Sequence, residues 1–461
     1  MLGKGEGTDK LGPPTQSTPG PVPISDETAA RLWPMRRPWR TFGPPPGSPA
    51  RIATGAASIV SSSDLPEFFL AVACSAWPPS PSVDEAIRLR AGEVGDWGLF
   101  EQIVRRHRIV GLAHRGLLRS KASVPAEVVA DLARIAAREG LMAQAFEIEA
   151  LSLRALFESG GLPVLFVKGA SLASLAYGSV EIRHCRDVDL LVDKDQTARA
   201  FALLAEAGYR PVTPLPAETV RGYWREYAKN CEFVGPSGRI IELHWRLTNN
   251  PGLLRGVDVH SASRMVRVGR GELPTLADDL LLPYLCVHGA VHGWSRLKWL
   301  ADVRAFLARR EPADIVRLYA TAGKLGAGPA MAQALVLCEQ LYGPGPWSAQ
   351  AGRLTGRLRT RLLLDMAMAG LTAGGGAVHV DVAAFGEDRI KASHFLLADG
   401  APTLFRELGQ KLFSQADLDE VPLPRWMQFA YPLLRLPRLL WRRIAKQLRA
   451  ARPAGPDQPR V

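Results

Sequence analysis

Apolar residues recur at three- and four-residue spacing through "DWGLFEQIVRRHRIVGLAHRGLL" (96–118) and "AEVVADLARIAAREGLMAQAFEIEALSLRALFESGG" (126–161). That period predicts helices across 63–158, stopped by the Gly160-Gly161 pair. The period then changes. "LPVLFVKG" (162–169) is a short apolar run ending in glycine and predicts a buried strand. "SLASLAYG" (171–178) predicts a short helix, "VDLLVD" (188–193) a second strand, and "DQTARAFALLAEAGYRP" (195–211) an amphipathic helix ended at Gly208. "CEFVGPSGRIIELHWRL" (231–247) reads as two strands around a Pro-Ser-Gly turn. Residues 159–274 are therefore expected to form a compact domain with a small mixed sheet, and the helical period returns over 275–415. The whole is an α+β chain whose sheet domain is flanked by helical segments.

The ends differ from this body. Residues 1–62 are rich in Gly, Pro, Ser and Thr and cannot bury enough apolar area to offset their ordering entropy, which predicts a disordered arm. Residues 416–461 hold a basic, amphipathic tail broken by Pro432 and Pro437.

Composition narrows the function classes. The formal net charge of +12 and pI near 9.7 suit acidic partners such as nucleotides, nucleic acid or anionic lipid, without choosing among them. The five cysteines are odd in number and form no CxxC pair, which argues against a disulfide framework and a zinc ribbon. Neither GxxxxGK[ST] nor GxGxxG is present, and no DNA-reading motif is found. The N-terminus lacks the apolar core of a signal peptide, and no run reaches the ~18 apolar residues of a membrane span. These features point to the cytoplasm.

The chemistry concentrates in "RHCRDVDLLVDKD" (183–195). Strand alternation puts Asp187 and Asp189 on one face at the mouth of an apolar run. Two carboxylates that close repel, and one takes up a proton unless a cation lies between them. Mg²⁺ favours hard oxygen ligands together with substrate phosphates, so the pair suits a metal–triphosphate. Upstream, "FVKGASL" (166–172) runs from strand through Gly169 into a helix, a turn that lets backbone N–H groups approach a phosphate, with Lys168 or Ser171 adding a donor. Downstream, Glu242 and His244 share a face of "RIIELHWRL" (239–247), and Glu242 offers a third carboxylate.

"VKGASLASLAYGSVEIRHCRDVDLLV", "IIELHWRL" and "VHGAVHGWSRLKWLADV" together resemble the bacterial uncharacterised nucleotidyltransferase family, within the polymerase-beta-like nucleotidyltransferase superfamily. The resemblance implies a nucleotidyltransferase fold and transfer of a nucleotidyl group from an NTP to an acceptor hydroxyl. It implies metal ligation (Mg²⁺ or Mn²⁺) by Asp187, Asp189 and Glu242, and a phosphate site lined by Gly169 and Ser171. The acceptor is left open. A catalytically silent nucleotide- or partner-binding protein of the same fold is the alternative, with a membrane-surface factor in polysaccharide assembly as its variant.

Other candidates have two readings each. Arg183 and Arg186 either neutralise the aspartates or contact the substrate's phosphates. His244 either packs in the core or borders the cleft. His288 and His292 have the i, i+4 spacing of zinc ligands, but "HGAVH" lacks the glutamate of HExxH. On a single helix His288, His292, Ser295, Trp299 and Asp302 would form one polar stripe, either a cleft border or an inter-helix seam.

In the tail, Leu433, Leu436, Leu440, Ile444 and Leu448 recur at helical spacing among Arg435, Arg438, Arg442, Arg443, Lys446 and Arg449. Such a segment (425–453) suits either shallow insertion at the anionic inner membrane surface or docking on the body. Each basic residue at an anionic surface contributes about 1 kcal/mol, so insertion gives salt-sensitive co-sedimentation with anionic but not neutral vesicles. A docked helix gives none, and truncating 421–461 tests whether the binding belongs to the tail.

Overall fold

α1 (Pro66–Cys74) and α2 (Pro81–Ala91) both begin on proline, whose preset φ and missing N–H suit the first helical position. The Ser80 hydroxyl caps α2 by accepting from Val83 N at 3.2 Å. Asp96 caps α3 (Trp97–Arg106) by accepting from Leu99 N at 2.9 Å. After α4 (Val110–Ser120) comes the long α5 (Ala126–Ser159), which stops at Gly160 as its glycine pair predicts. The computed structural model describes residues 65–216, 218–380, 386–412 and 423–431, with Leu433, Leu434 and Pro437. The expected arm 1–62 and most of the tail lie outside these residues.

The sheet region follows: β1 (Leu165–Phe166), α6 (Ala170–Tyr177), β2 (Val188–Leu191), α7 (Thr197–Glu206), β3 (Arg210–Pro211), α8 (Glu218–Tyr227), β4 (Asn230–Val234) and β5 (Ile240–His244). A second hairpin, β6 (Ser263–Val268) and β7 (Gly271–Leu276), stands as a separate two-stranded sheet. The main sheet has the order β1-β2-β5-β4-β3, with β2 parallel to β5 and its other neighbours antiparallel. It is the small mixed sheet expected, and the Pro-Ser-Gly turn does join β4 to β5. The pattern alone does not reveal β3, α8 or the β6–β7 hairpin.

The C-terminal helices are α9 (Asp278–Val291), α10 (Leu297–Leu307), α11 (Pro312–Lys324), α12 (Gly328–Tyr342), α13 (Ser348–Thr355), α14 (Leu358–Leu371), α15 (Gly386–Leu397) and α16 (Ala401–Leu412). α12 is apolar on nearly every face and is buried accordingly. Helices on both sides of the sheet region share one core: Phe68, Phe100 and Ile103 from the N-terminal segment pack with Leu300, Leu335 and Leu371. The Ser75 hydroxyl and Tyr342 OH, 3.0 Å apart, bridge the two segments. What flanks the sheet in sequence is thus merged in space. α5 joins this core to the sheet's own. Val128 and Leu132 pack in the helical cluster, while Phe146, Leu153 and Phe157 pack beneath the sheet. Each such fully buried side chain contributes about 1.5–3 kcal/mol.

The polar stripe of 288–302 is not one helix. α9 ends at Val291, and Gly293 and Trp294 adopt φ of +59° and +48° before α10 begins. A left-handed glycine is free to break the helix there. Trp294 turns fully inward and donates its Nε1–H to Gln333 Oε1 at 2.9 Å. At the other end of the described chain, Tyr431 is buried, its ring 5.0 Å from Tyr223, whereas Trp426 and Phe429 are about three-quarters exposed. Among the described residues no helix is long and apolar enough to cross a membrane.

The turn after α9 allows a direct check. A Cβ on Gly289 would lie 2.3 Å from the Trp294 ring. Gly289→Ala should cost about 1–3 kcal/mol through overpacking, read as a lower urea midpoint at unchanged m-value.

Candidate active site

The parallel register of β2 on β5 sets Asp189 directly opposite Glu242. His244, two residues along β5, turns to the same face. Its Nε2 lies 3.1 Å from Asp189 Oδ1 and 3.2 Å from Glu242 Oε2. Facing two carboxylate oxygens, Nε2 carries a proton, while the buried Nδ1 has no hydrogen-bond partner among the described residues. Lys168, just beyond β1, reaches Asp189 Oδ1 at 2.7 Å. Asn230, at the start of β4, donates from Nδ2 to Glu242 Oε2 at 2.9 Å.

Gly169 follows with φ +66° and ψ −130°, a conformation that a side chain would strain, and it opens α6. Asp187 sits just ahead of β2 and lines the same cleft of about 540 Å³ with Lys168, Gly169, Asp189 and Glu242.

The like charges are handled unequally. Burial alone would raise the Asp189 carboxyl, but Lys168 and His244 outweigh it and hold it well below the usual range. Asp187 goes the other way, pushed up by burial and then by the Asp189 charge. Glu242 is lowered: burial opposes, and the His244 hydrogen bond wins.

Not every expected residue faces the ligand space. Ser171 is fully buried and donates its hydroxyl to Phe166 O at 2.7 Å and Lys168 O at 2.9 Å, closing the turn from within. Its hydroxyl therefore serves the turn that carries Gly169 and is absent from the cleft wall. Arg183 borders the cleft but spends its guanidinium on Asp302, Nε to Oδ1 at 2.9 Å and Nη2 to Oδ2 at 3.0 Å. It pins the aspartate loop to α10, and Lys298 reinforces this by donating to His184 O at 3.0 Å. Arg186 is exposed and is not part of the cleft wall. His288, His292 and Trp299 do meet there, although they come from two helices. The two histidine rings are 4.8 Å apart, and His292 stacks on Trp299 at 5.2 Å. Burial, then the charge of Lys168, holds His288 well below its ordinary range.

Sequence reasoning missed Arg108, Lys229, Asn230, Arg296 and Lys298, all on the cleft wall. Burial, and after it Lys168, lowers Lys229; burial and Arg183 push Lys298 down to about 8. The adjacency of Lys229-Asn230 to the first strand of the predicted hairpin was the only available signal.

A match to the family described as uncharacterised nucleotidyltransferase covers residues 93–343, more than half of the chain. The chain belongs to this family. No curated protein and no solved structure matches it. Membership carries nucleotidyl transfer as the general reaction, and nucleotidyltransferases generally use divalent metals. Among the described residues, the group of metal-ligating side chains with atoms within 4.8 Å of one another is Asp189, Glu242 and His244. The carboxylate oxygens fit a hard divalent cation. His244, already donating to two of them, is better placed to position the carboxylates than to ligate.

Charge inequality in the site has a measurable sign. Asp189 is depressed in the fold, so its stabilisation is complete above the unfolded value near pH 4 and is lost as pH falls below it. In EDTA at pH 7, Asp189→Asn should cost about 1.5–3 kcal/mol, a penalty that shrinks below about pH 4. Asp187 is raised, so its charge opposes folding, and Asp187→Asn should be neutral or stabilising under the same conditions. Urea unfolding across pH checks both.

Proposed function

We propose that the chain transfers a nucleotidyl group from an NTP to an acceptor hydroxyl by two-metal catalysis in the cleft over β2 and β5. The observation that carries this is the register-matched Asp189–Glu242 pair, with Asp187 and the Gly169 turn beside it and cations ringing the rim. Asp187, Asp189 and Glu242 would hold Mg²⁺ or Mn²⁺, which when bound neutralises the triphosphate and lowers the pKa of the acceptor hydroxyl.

The chain's own groups supply the rest. Gly169 brings backbone close to a phosphate without a side chain in the way. Lys168, Lys229 and Lys298 supply positive charge around the polyphosphate, with Arg108 and Arg296 on the same wall. His244 keeps Asp189 and Glu242 ionised and oriented. The acceptor oxygen attacks the α-phosphorus, forming one P–O bond as the bond to pyrophosphate breaks. Of the register-matched pair, Glu242 is 21% exposed against 2% for Asp189, so it is the one an entering hydroxyl reaches, and it takes the proton.

One observation favours the silent alternative: Asp189 Oδ1 already holds both Lys168 and His244. A protein that binds nucleotide without transferring it would show the same contacts.

Incubation with each α-labelled NTP and Mg²⁺ in cell extract separates the two. Transfer places label on an acceptor and releases pyrophosphate. Asp187→Asn/Asp189→Asn should lower it by at least about 10³-fold, roughly 4 kcal/mol of barrier, with the fold intact. Magnesium–NTP binding with no labelled product for any nucleotide supports the silent reading. Unaltered Mg–ATP affinity in the double variant refutes the metal site.

A further inference from the structure

A second cavity of about 510 Å³ lies beside the cleft and shares with it the wall Lys229, Asn230, His288 and His292. We propose that this chamber is the acceptor site and that it takes a neutral, ring-shaped polyhydroxyl compound, a sugar unit of one or two rings. The inference rests on the nucleotidyl-transfer reading of the neighbouring cleft.

Three features select that chemistry. First, the lining combines aromatic and amide groups. Trp224 and Tyr227 of α8 supply aromatic surface, and Asn249 and Gln410 supply side-chain amides. An amide both donates and accepts, as vicinal hydroxyls do, and an aromatic face packs on the C–H face of a sugar ring. No hydrogen bond within the described structure engages the Asn249 or Gln410 side chain, so both are open to a ligand.

Second, the chamber's carboxylate is already neutralised. Glu407 is held by Lys411 at 3.1 Å, His394 at 3.3 Å and Asn250 Nδ2 at 2.9 Å. It offers nothing to select a cationic acceptor. The Lys229 ammonium stands on the shared wall, where it serves the phosphates of the cleft.

Third, the size suits a small molecule. The volume is within the ~300–1,000 Å³ of small-ligand sites. Asn230 connects the two spaces: it lines both and donates to Glu242 at 2.9 Å. A hydroxyl carried along Asn230 arrives at the carboxylate assigned to take its proton.

The test titrates the full chain by calorimetry with neutral hexoses, N-acetylhexosamines and their disaccharides, and in parallel with a cationic hexosamine and a short single-stranded RNA, first without nucleotide and then with Mg²⁺ and a non-hydrolysable NTP. At least one saccharide should bind in both settings. Asn249→Trp fills the chamber, and Gln410→Leu removes an amide with little change in bulk. Each should weaken saccharide binding by about tenfold while leaving Mg–ATP affinity within about twofold. Asp189→Asn should do the reverse, abolishing Mg–ATP binding and sparing the saccharide. Failure of every saccharide to bind overturns the proposal, as does binding unchanged in both chamber variants, or selective binding of cationic amino sugars or of RNA. Loss of Mg–NTP binding in the wild-type chain with saccharide binding intact would instead overturn the nucleotide reading alone.

Discussion

Two carboxylates face each other across a parallel strand pair because Asp189 and Glu242 share a register position on β2 and β5. The surrounding structure offsets that repulsion. Lys168 and His244 bring positive charge or a proton to Asp189, and His244 and Asn230 donate to Glu242. Asp187, which has no comparable donor among the described residues, has its carboxyl pushed up by burial and then by the Asp189 charge. The fold thus stabilises the charges of Asp189 and Glu242 and leaves that of Asp187 opposed by burial and by its neighbour, an imbalance that a divalent cation would relieve.

How much of this was legible follows from how local each feature is. The D-x-D at the mouth of an apolar run and the Glu242–His244 alternation are visible because strand period is two residues. The β4–β5 hairpin is visible because its turn chemistry is explicit. Lys229, Asn230 and Lys298 carry no such signature, since they reach the cleft from a strand start and from a helix more than a hundred residues downstream of the aspartates. The place of Ser171 after the Gly169 turn suggests a hydroxyl donor, but sequence cannot show that the hydroxyl closes its own turn. The stripe from His288 to Asp302 is not one helix face, because one left-handed glycine, Gly293, resets the helical phase. His288, His292, Ser295 and Trp299 nonetheless line one cleft, because the turn packs α10 against α9, while Asp302 is buried against Arg183.

The two clefts differ in the kind of charge they leave uncompensated. Around the carboxylates, cations exceed acids, as a polyphosphate site requires. In the adjoining chamber the one carboxylate is paired and the open groups are amides. A wall of two histidines, a lysine and an asparagine divides the spaces, so whatever enters each meets the other at Asn230 and Lys229.

The bidentate Arg183–Asp302 pair joins positions 119 apart in the chain. A ribosome releases Arg183 well before Asp302 exists. Until α10 has been made, the loop carrying Asp187 lacks its anchor, and the cleft lacks the wall that carries Lys298 and Trp299. Order of synthesis therefore sets order of assembly: a nascent or prematurely terminated chain that ends before residue 302 carries the acidic motif without this anchor.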